Sequence, residues 1–105
     1  MWQVEYLKEA VEDLKGLDHS QRLHVLKAID KVSVNPLPQS EGGYGKSLGN
    51  RNSTKLAGYL KIKLKSLGLR VVYRLVREKE AMKVIVVSAR ADEEVYLLAQ
   101  KRTDK

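Results

Sequence analysis

The stretch GYLKIKLKSLGLRVVYRL, residues 58–75, decides the reading of the fold. Leu60, Ile62 and Leu64 alternate with Lys61, Lys63 and Lys65; after Ser66-Leu67-Gly68, Leu69, Val71, Tyr73 and Leu75 alternate with Arg70, Val72 and Arg74. Side chains two apart along a strand share a face. The stretch therefore predicts a β-hairpin, strands 59–65 and 69–77, with one apolar face turned to a core and the opposite face carrying a row of cations. Like charges on neighbouring strands repel each other, so a purely structural sheet would interleave acids there. A solvated face is one reading; a surface that meets a phosphate backbone accounts better for the clustering.

Working outward, a third strand is expected at 81–88, with residues 77–80 as the turn. Met82 to Val87 is apolar except for Lys83, as suits a central strand covered on both faces. Asp92, Glu93 and Glu94 then open a closing helix that carries Lys101 and Arg102 near its end, complementing the helix dipole. On the N-terminal side, residues 1–6 form a short strand, and Leu7, Ala10, Val11, Leu14 and Leu17 recur at helical spacing. Asp18 with Gln21 makes a capping box for a second helix, whose stripe of Leu23, Val25, Leu26, Ile29 and Val32 ends at Asn35-Pro36. The two helices are expected to be antiparallel. The order is β-α-α-β-β-β-α, an α+β fold in which a small antiparallel sheet packs on two N-terminal helices and a C-terminal helix follows. No internal repeat interrupts it.

Residues 36–58, PLPQSEGGYGKSLGNRNSTKLAG, have neither period and read as a loop, of a length that is often functional or mobile. The cluster Gly42-Gly43-Tyr44-Gly45-Lys46 lacks both the spacing of a P-loop and its flanking strand and helix. It reads as a flexible turn rather than a phosphate cradle.

A chain of 105 residues, 43% hydrophobic, suits one domain spanning 1–105. Apolar runs fall short of the roughly 18 to 20 residues of a membrane span, and no basic-then-apolar leader opens the chain. There is no cysteine, hence no disulfide or thiolate metal site, which suits a reducing compartment. The expectation is a cytoplasmic protein without membrane contact. The net charge of +7 is unevenly placed: residues 1–41 hold 5 Lys/Arg against 7 Asp/Glu, and residues 42–105 hold 15 against 6, giving −2 and +9. That asymmetry favours a polyanion such as nucleic acid, or an acidic protein covering the same surface.

The chemistry is bounded by what is missing. His19 and His24 are five apart on one helix, a poor spacing for a shared metal, and read as surface residues. The basic half offers no carboxylate cluster for magnesium and no Ser-His-Asp arrangement, so a nuclease here is expected to need no metal or other cofactor. RNA permits this, because its 2′-hydroxyl can attack the adjacent phosphate. A lysine crowded by cations can take the proton, arginines can stabilise the phosphorane and assist the leaving oxygen, and an aromatic ring can stack on a base. Arg90, where the chain leaves the third strand, and Tyr96, six residues later, are both within reach of the basic face. Taken singly, they also suit a surface helix start and a packing residue beside Val95.

The segments LKIKLKSLGLRVVYRL (60–75) and VIVVSARADEEVYLLAQKR (84–102) resemble the RelE family of the RelE/ParE toxin-antitoxin superfamily. The order of elements agrees over essentially the whole chain. The resemblance implies a toxin that enters the ribosomal A site and cuts messenger RNA by 2′-hydroxyl attack, leaving a cyclic 2′,3′-phosphate and a 5′-hydroxyl. It implies catalytic roles for Lys61 or Lys63 as base or electrostatic support, Arg70 at the transition state, Arg90 at the leaving oxygen and Tyr96 on the nucleotide. It also implies a cognate antitoxin partner. Lys65 and Arg74 extend the expected RNA-binding face. The family's further basic residue, before the glycine ahead of the catalytic strand, is here Ala57 before Gly58, and Lys55 or Arg51 would replace it. The rivals are a ParE-like gyrase inhibitor of the same fold and a non-catalytic nucleic-acid binder.

Overall fold

The computed structural model describes residues 1–48 and 58–103. The elements are β1 (Gln3–Tyr6), α1 (Lys8–Lys15), α2 (His19–Ser33), β2 (Lys46–Ser47), β3 (Tyr59–Leu64), β4 (Leu69–Val76), β5 (Ala81–Ser88) and α3 (Asp92–Thr103). The expected order holds, with β2 as an addition inside the segment read as loop. No helix among the described residues is long and apolar enough to cross a membrane.

Local chemistry sets the helix ends. The Asp18 carboxylate accepts from the Gln21 backbone N–H at 2.8 Å, and the Gln21 side chain accepts from the Asp18 N–H at 3.3 Å. This reciprocal box starts α2. Its first turn also supplies Arg22, whose Nε and Nη2 donate to the carbonyls of Leu14 and Leu17 at 3.0 and 2.9 Å. One guanidinium thereby satisfies carbonyls that the end of α1 leaves open.

The sheet runs β1-β5-β4-β3-β2. β3, β4 and β5 pair antiparallel, as expected; β2 adds a further antiparallel edge to β3, and β1, unlike the expected antiparallel sheet, joins the other edge parallel to β5. A parallel partner needs a long crossover, and here α1, α2 and the β3–β4 hairpin all lie between the two strands in sequence. Both β4 turns are single 3₁₀ turns closed by a left-handed residue, Gly68 at φ +64° and Glu80 at φ +47°. β3 ends at Leu64, so Lys65 belongs to the turn and does not continue the strand's alternation, a correction to the expected strand end.

The core is double. One apolar layer lies between α1, α2 and the sheet: Ala10, Leu14, Val25 and Ile29 meet Leu60, Leu69, Val71, Tyr73, Met82 and Val84. The other lies under α3, where Val95, Tyr96 and Ala99 cover Tyr59, Val72, Ile85 and Val86. The β4–β5 register slips between Val72 and Tyr73: Val72 faces Val86, yet Tyr73 faces Val84. Ile85 is the extra residue of a β-bulge. It puts Ile85 and Val86 on one face and returns Val87 to the other core.

The segment 36–48 is more ordered than its composition suggests. Pro38 and Gly45 bridge, and the buried Tyr73 hydroxyl donates to the Pro36 carbonyl at 2.7 Å. A side chain at Gly45 would overlap that hydroxyl, and one at Gly43 would overlap the Leu37 backbone. These glycines serve close packing. The Glu41 carboxylate accepts from both terminal nitrogens of Arg77 at 3.0 and 2.8 Å, tying the segment to the β4–β5 turn.

Candidate functional site

The cationic face is the face of the sheet that α3 half covers. Cross-strand partners share a face, so the register defines two rows on it. Lys46, Lys61, Val72 and Val86 form one; Lys63, Arg70 and Ser88 form the next. The Ile85 bulge is what turns Ser88 to this side, since strict alternation from Val84 would point it into the core beneath α1 and α2.

Lys61 is half-buried on β3, and its ammonium donates to the Tyr96 hydroxyl of α3 at 2.7 Å. The same nitrogen is 5.5 Å from the ring centroid. Those two distances fit an ammonium extending outward along the phenol C–O bond, not one seated over the ring, so the contact is a hydrogen bond rather than a cation–π pair. Tyr96 is itself buried among Val72, Val86 and Ala99, which fixes its ring.

In the second row, the Arg70 Nη1 donates to the Arg90 carbonyl at 2.9 Å, and the Arg90 N–H donates to the Ser88 hydroxyl at 3.1 Å. The residues after β5 are thus folded back over the row, with the Arg90 side chain exposed beside it. At its outer end lies a shallow groove of about 250 Å³ lined by Lys63, Leu64, Lys65, Gly68, Leu69 and Arg70. Polar and apolar walls together can take a phosphate and part of a base.

Lys61, Lys63, Arg70 and Tyr96 therefore share this face from β3, β4 and α3, and the backbone of Arg90, at the exit of β5, lies against Arg70. Lys65 joins them at the groove. Arg74 does not: it pairs with Tyr59 and Lys83 and lines a separate cleft with Ile85, Arg102 and Thr103, roughly 13 Å along the strand from Arg70. Arg51, Lys55 and Ala57 lie outside the described residues. Lys46 was missed in the sequence because it sits in an aperiodic segment. Two residues of strand place it directly beside Lys61. The glycine cluster beside it reads as a flexible turn and gives no reason to place it on the basic face.

His19 and His24 are exposed on α2, as expected. Among the described residues no three His, Cys, Asp or Glu side chains gather as metal ligands.

No protein-family model matches the chain. A RelE-like toxin protein of Escherichia coli is 30% identical to it over 105 residues, covering 96% of each chain. Among solved structures, E. coli RelE with two arginine-to-alanine substitutions, in its free state, superposes with a TM-score of 0.74 at 26% identity, covering 97% of each chain. The same variant bound to a peptide of the antitoxin RelB gives 0.68 at 26% identity over 93% of each chain. The similarity extends over nearly the full length, and the fold and order of elements agree with the resemblance carried by residues 60–75 and 84–102: the chain belongs to the RelE-like toxins of toxin-antitoxin systems.

Proposed function

We propose that this toxin is a ribosome-dependent endonuclease that cuts messenger RNA in the A site and so stops translation. The observation that carries the reading is the gathering of Lys61, Lys63, Arg70 and Tyr96 on one sheet face, with the Arg90 backbone bound to Arg70. Among them are a Lys61–Tyr96 hydrogen bond of 2.7 Å and an Arg70 contact to the Arg90 backbone of 2.9 Å. A gyrase inhibitor has no need of that set.

The chemistry follows from the residue types. The 2′-oxygen of the nucleotide before the cut bonds to phosphorus and gives its proton to the neutral amine of Lys61 or Lys63, the other lysine acting as electrostatic support. The bond from phosphorus to the next 5′-oxygen breaks, and that oxygen takes a proton from water beside Arg90 as it leaves. Products are a cyclic 2′,3′-phosphate and a 5′-hydroxyl. Arg70 is suited to the charge gathering on the phosphorane oxygens, Arg90 to the leaving oxygen, and Tyr96 to the neighbouring nucleotide. Lys65 and Lys46 widen the phosphate-binding surface. The ribosome supplies the alignment that so open a site lacks, converting loose encounter into a fixed attack geometry.

A cognate antitoxin is the expected protein partner, as RelB is for E. coli RelE, and an acidic or amphipathic segment would suit the cationic face. Action on ribosomes sets the site of action in the cytoplasm, without a cofactor or a membrane.

The test is a primer-extension map of a defined message on translating ribosomes, with the wild-type protein, the Arg90→Ala variant and a ribosome-free control. Cuts are expected only with ribosomes and an intact Arg90. Absence of cuts in every arm overturns the reading in favour of gyrase inhibition or plain binding.

A further inference from the structure

A carboxylate in the opposite helical layer reaches both ends of the segment that carries Ser88, Arg90 and Tyr96. Asp13 of α1 accepts from the Val87 N–H at 2.9 Å and from Arg102 Nη1 at 2.7 Å through one oxygen, and from Arg102 Nη2 at 3.0 Å through the other. Arg102 Nη1 also donates to the Ile85 carbonyl at 2.9 Å. The two side chains are only 18% and 14% exposed.

This junction exists because β1 is short. Its last pair with β5 is Tyr6 with Val84. Beyond Val84 the β5 edge is open, and α1 meets α3 around it. Asp13 and Arg102 occupy that window and take up the carbonyl of the bulge residue Ile85 and the N–H of Val87, two residues on.

We infer that Asp13 is a positioning residue for the active face, acting as a clamp on both ends of the segment from Val87 to Arg102. That segment carries Ser88, Arg90 and Tyr96. At one end Asp13 fixes the residue before Ser88, whose hydroxyl receives the Arg90 N–H. At the other it holds the last turn of α3 through Arg102. Apolar contacts of Val95, Tyr96 and Ala99 with the sheet are non-directional and leave a helix free to rotate or slide. A bidentate guanidinium–carboxylate fork specifies one rotation, the one that brings the Tyr96 hydroxyl to Lys61. The activity consequence rests on the proposed endonuclease; the structural consequence does not.

The experiment compares wild type, Asp13→Asn and Arg102→Lys with Ile29→Val, a control altered in the core beneath α2 and away from this junction. Each is measured for thermal unfolding, for the NMR signal of the Tyr96 ring (assigned with Tyr96→Phe) and for single-turnover cleavage on programmed ribosomes. Asp13→Asn and Arg102→Lys, folded at the assay temperature, are expected to shift the Tyr96 signal and to lose at least tenfold in cleavage rate at unchanged apparent affinity. Ile29→Val is expected to change neither. An unmoved Tyr96 signal in folded Asp13→Asn, or an equal loss of rate in Ile29→Val, overturns the clamp. Should wild type fail to cleave, the functional reading falls and the Tyr96 signal alone decides: a shift in Asp13→Asn supports the clamp and its absence refutes it.

Discussion

The Lys61 ammonium and the Tyr96 hydroxyl meet at 2.7 Å, joining β3 to α3 across 35 residues of sequence. The lysine is the donor, so the phenol retains its own hydrogen for a substrate acceptor. A hydrogen bond involving a charged group contributes about 1.5–3 kcal/mol. Tyr96→Phe keeps the buried ring and is expected to fold normally while losing ~10- to 100-fold in single-turnover cleavage, the rate equivalent of that energy. In a cycle with Lys61→Met the two losses should be non-additive by about 0.5–3 kcal/mol. Additive losses would show that the pair does not act as a unit.

Lys46 and Lys61 stand opposite each other on β2 and β3, and Lys46 is exposed. Lys46→Ala is expected to leave folding unchanged and to weaken binding of a short single-stranded RNA about equally for all sequences. The slope of log K against log salt should fall by roughly 0.7 to 1, as for the loss of one phosphate contact. An unaltered slope would remove Lys46 from the RNA surface.

Tyr73 is fully buried and donates to the Pro36 carbonyl, and burial raises its pKa well above the usual 10.0. Above pH 10 the unfolded chain releases this proton while the folded one keeps it. The native state then binds more protons, and stability falls as pH rises from there. Tyr73→Phe is expected to cost about 1–3 kcal/mol at neutral pH by stranding the Pro36 carbonyl, and to flatten the alkaline decline in a urea-unfolding series. A decline as steep as wild type would assign it to other groups.

Glu80 holds a left-handed backbone at φ +47° in the β4–β5 turn, where Gly68 does the same work in the β3–β4 turn. A residue with a Cβ there costs about 1–2 kcal/mol, of which glycine's greater chain entropy returns roughly half. Glu80→Gly should therefore stabilise by about 0.5–1 kcal/mol, raising Tm by ~2–8 °C with cleavage unchanged. A lowered Tm would mean that the Glu80 side chain contributes more than the strain it carries.

Local pattern accounts for every element except β2 and for most of the face. Alternation at residues 60–75 placed Leu60, Leu69, Val71 and Tyr73 in one core and Lys61, Lys63 and Arg70 on the other side, because a strand's period of two leaves no other assignment. Asp18 and Gln21 marked the start of α2 because a capping box is local chemistry. The family likewise was legible in two short segments. Tertiary structure decided what local periodicity does not encode. Met82 to Val87 is apolar apart from Lys83, with Ile85, Val86 and Val87 in an unbroken run, so nothing in it announces the Ile85 bulge that turns Ser88 toward Arg70. Lys46 gained a place beside Lys61 through a two-residue pairing too short to leave a pattern. β1 joined β5 in parallel, and its early end opened the window in which Asp13 meets Arg102 across 89 residues. Those relationships depend on where strands stop and slip against one another, which is settled by packing between distant segments rather than by any residue's own preference.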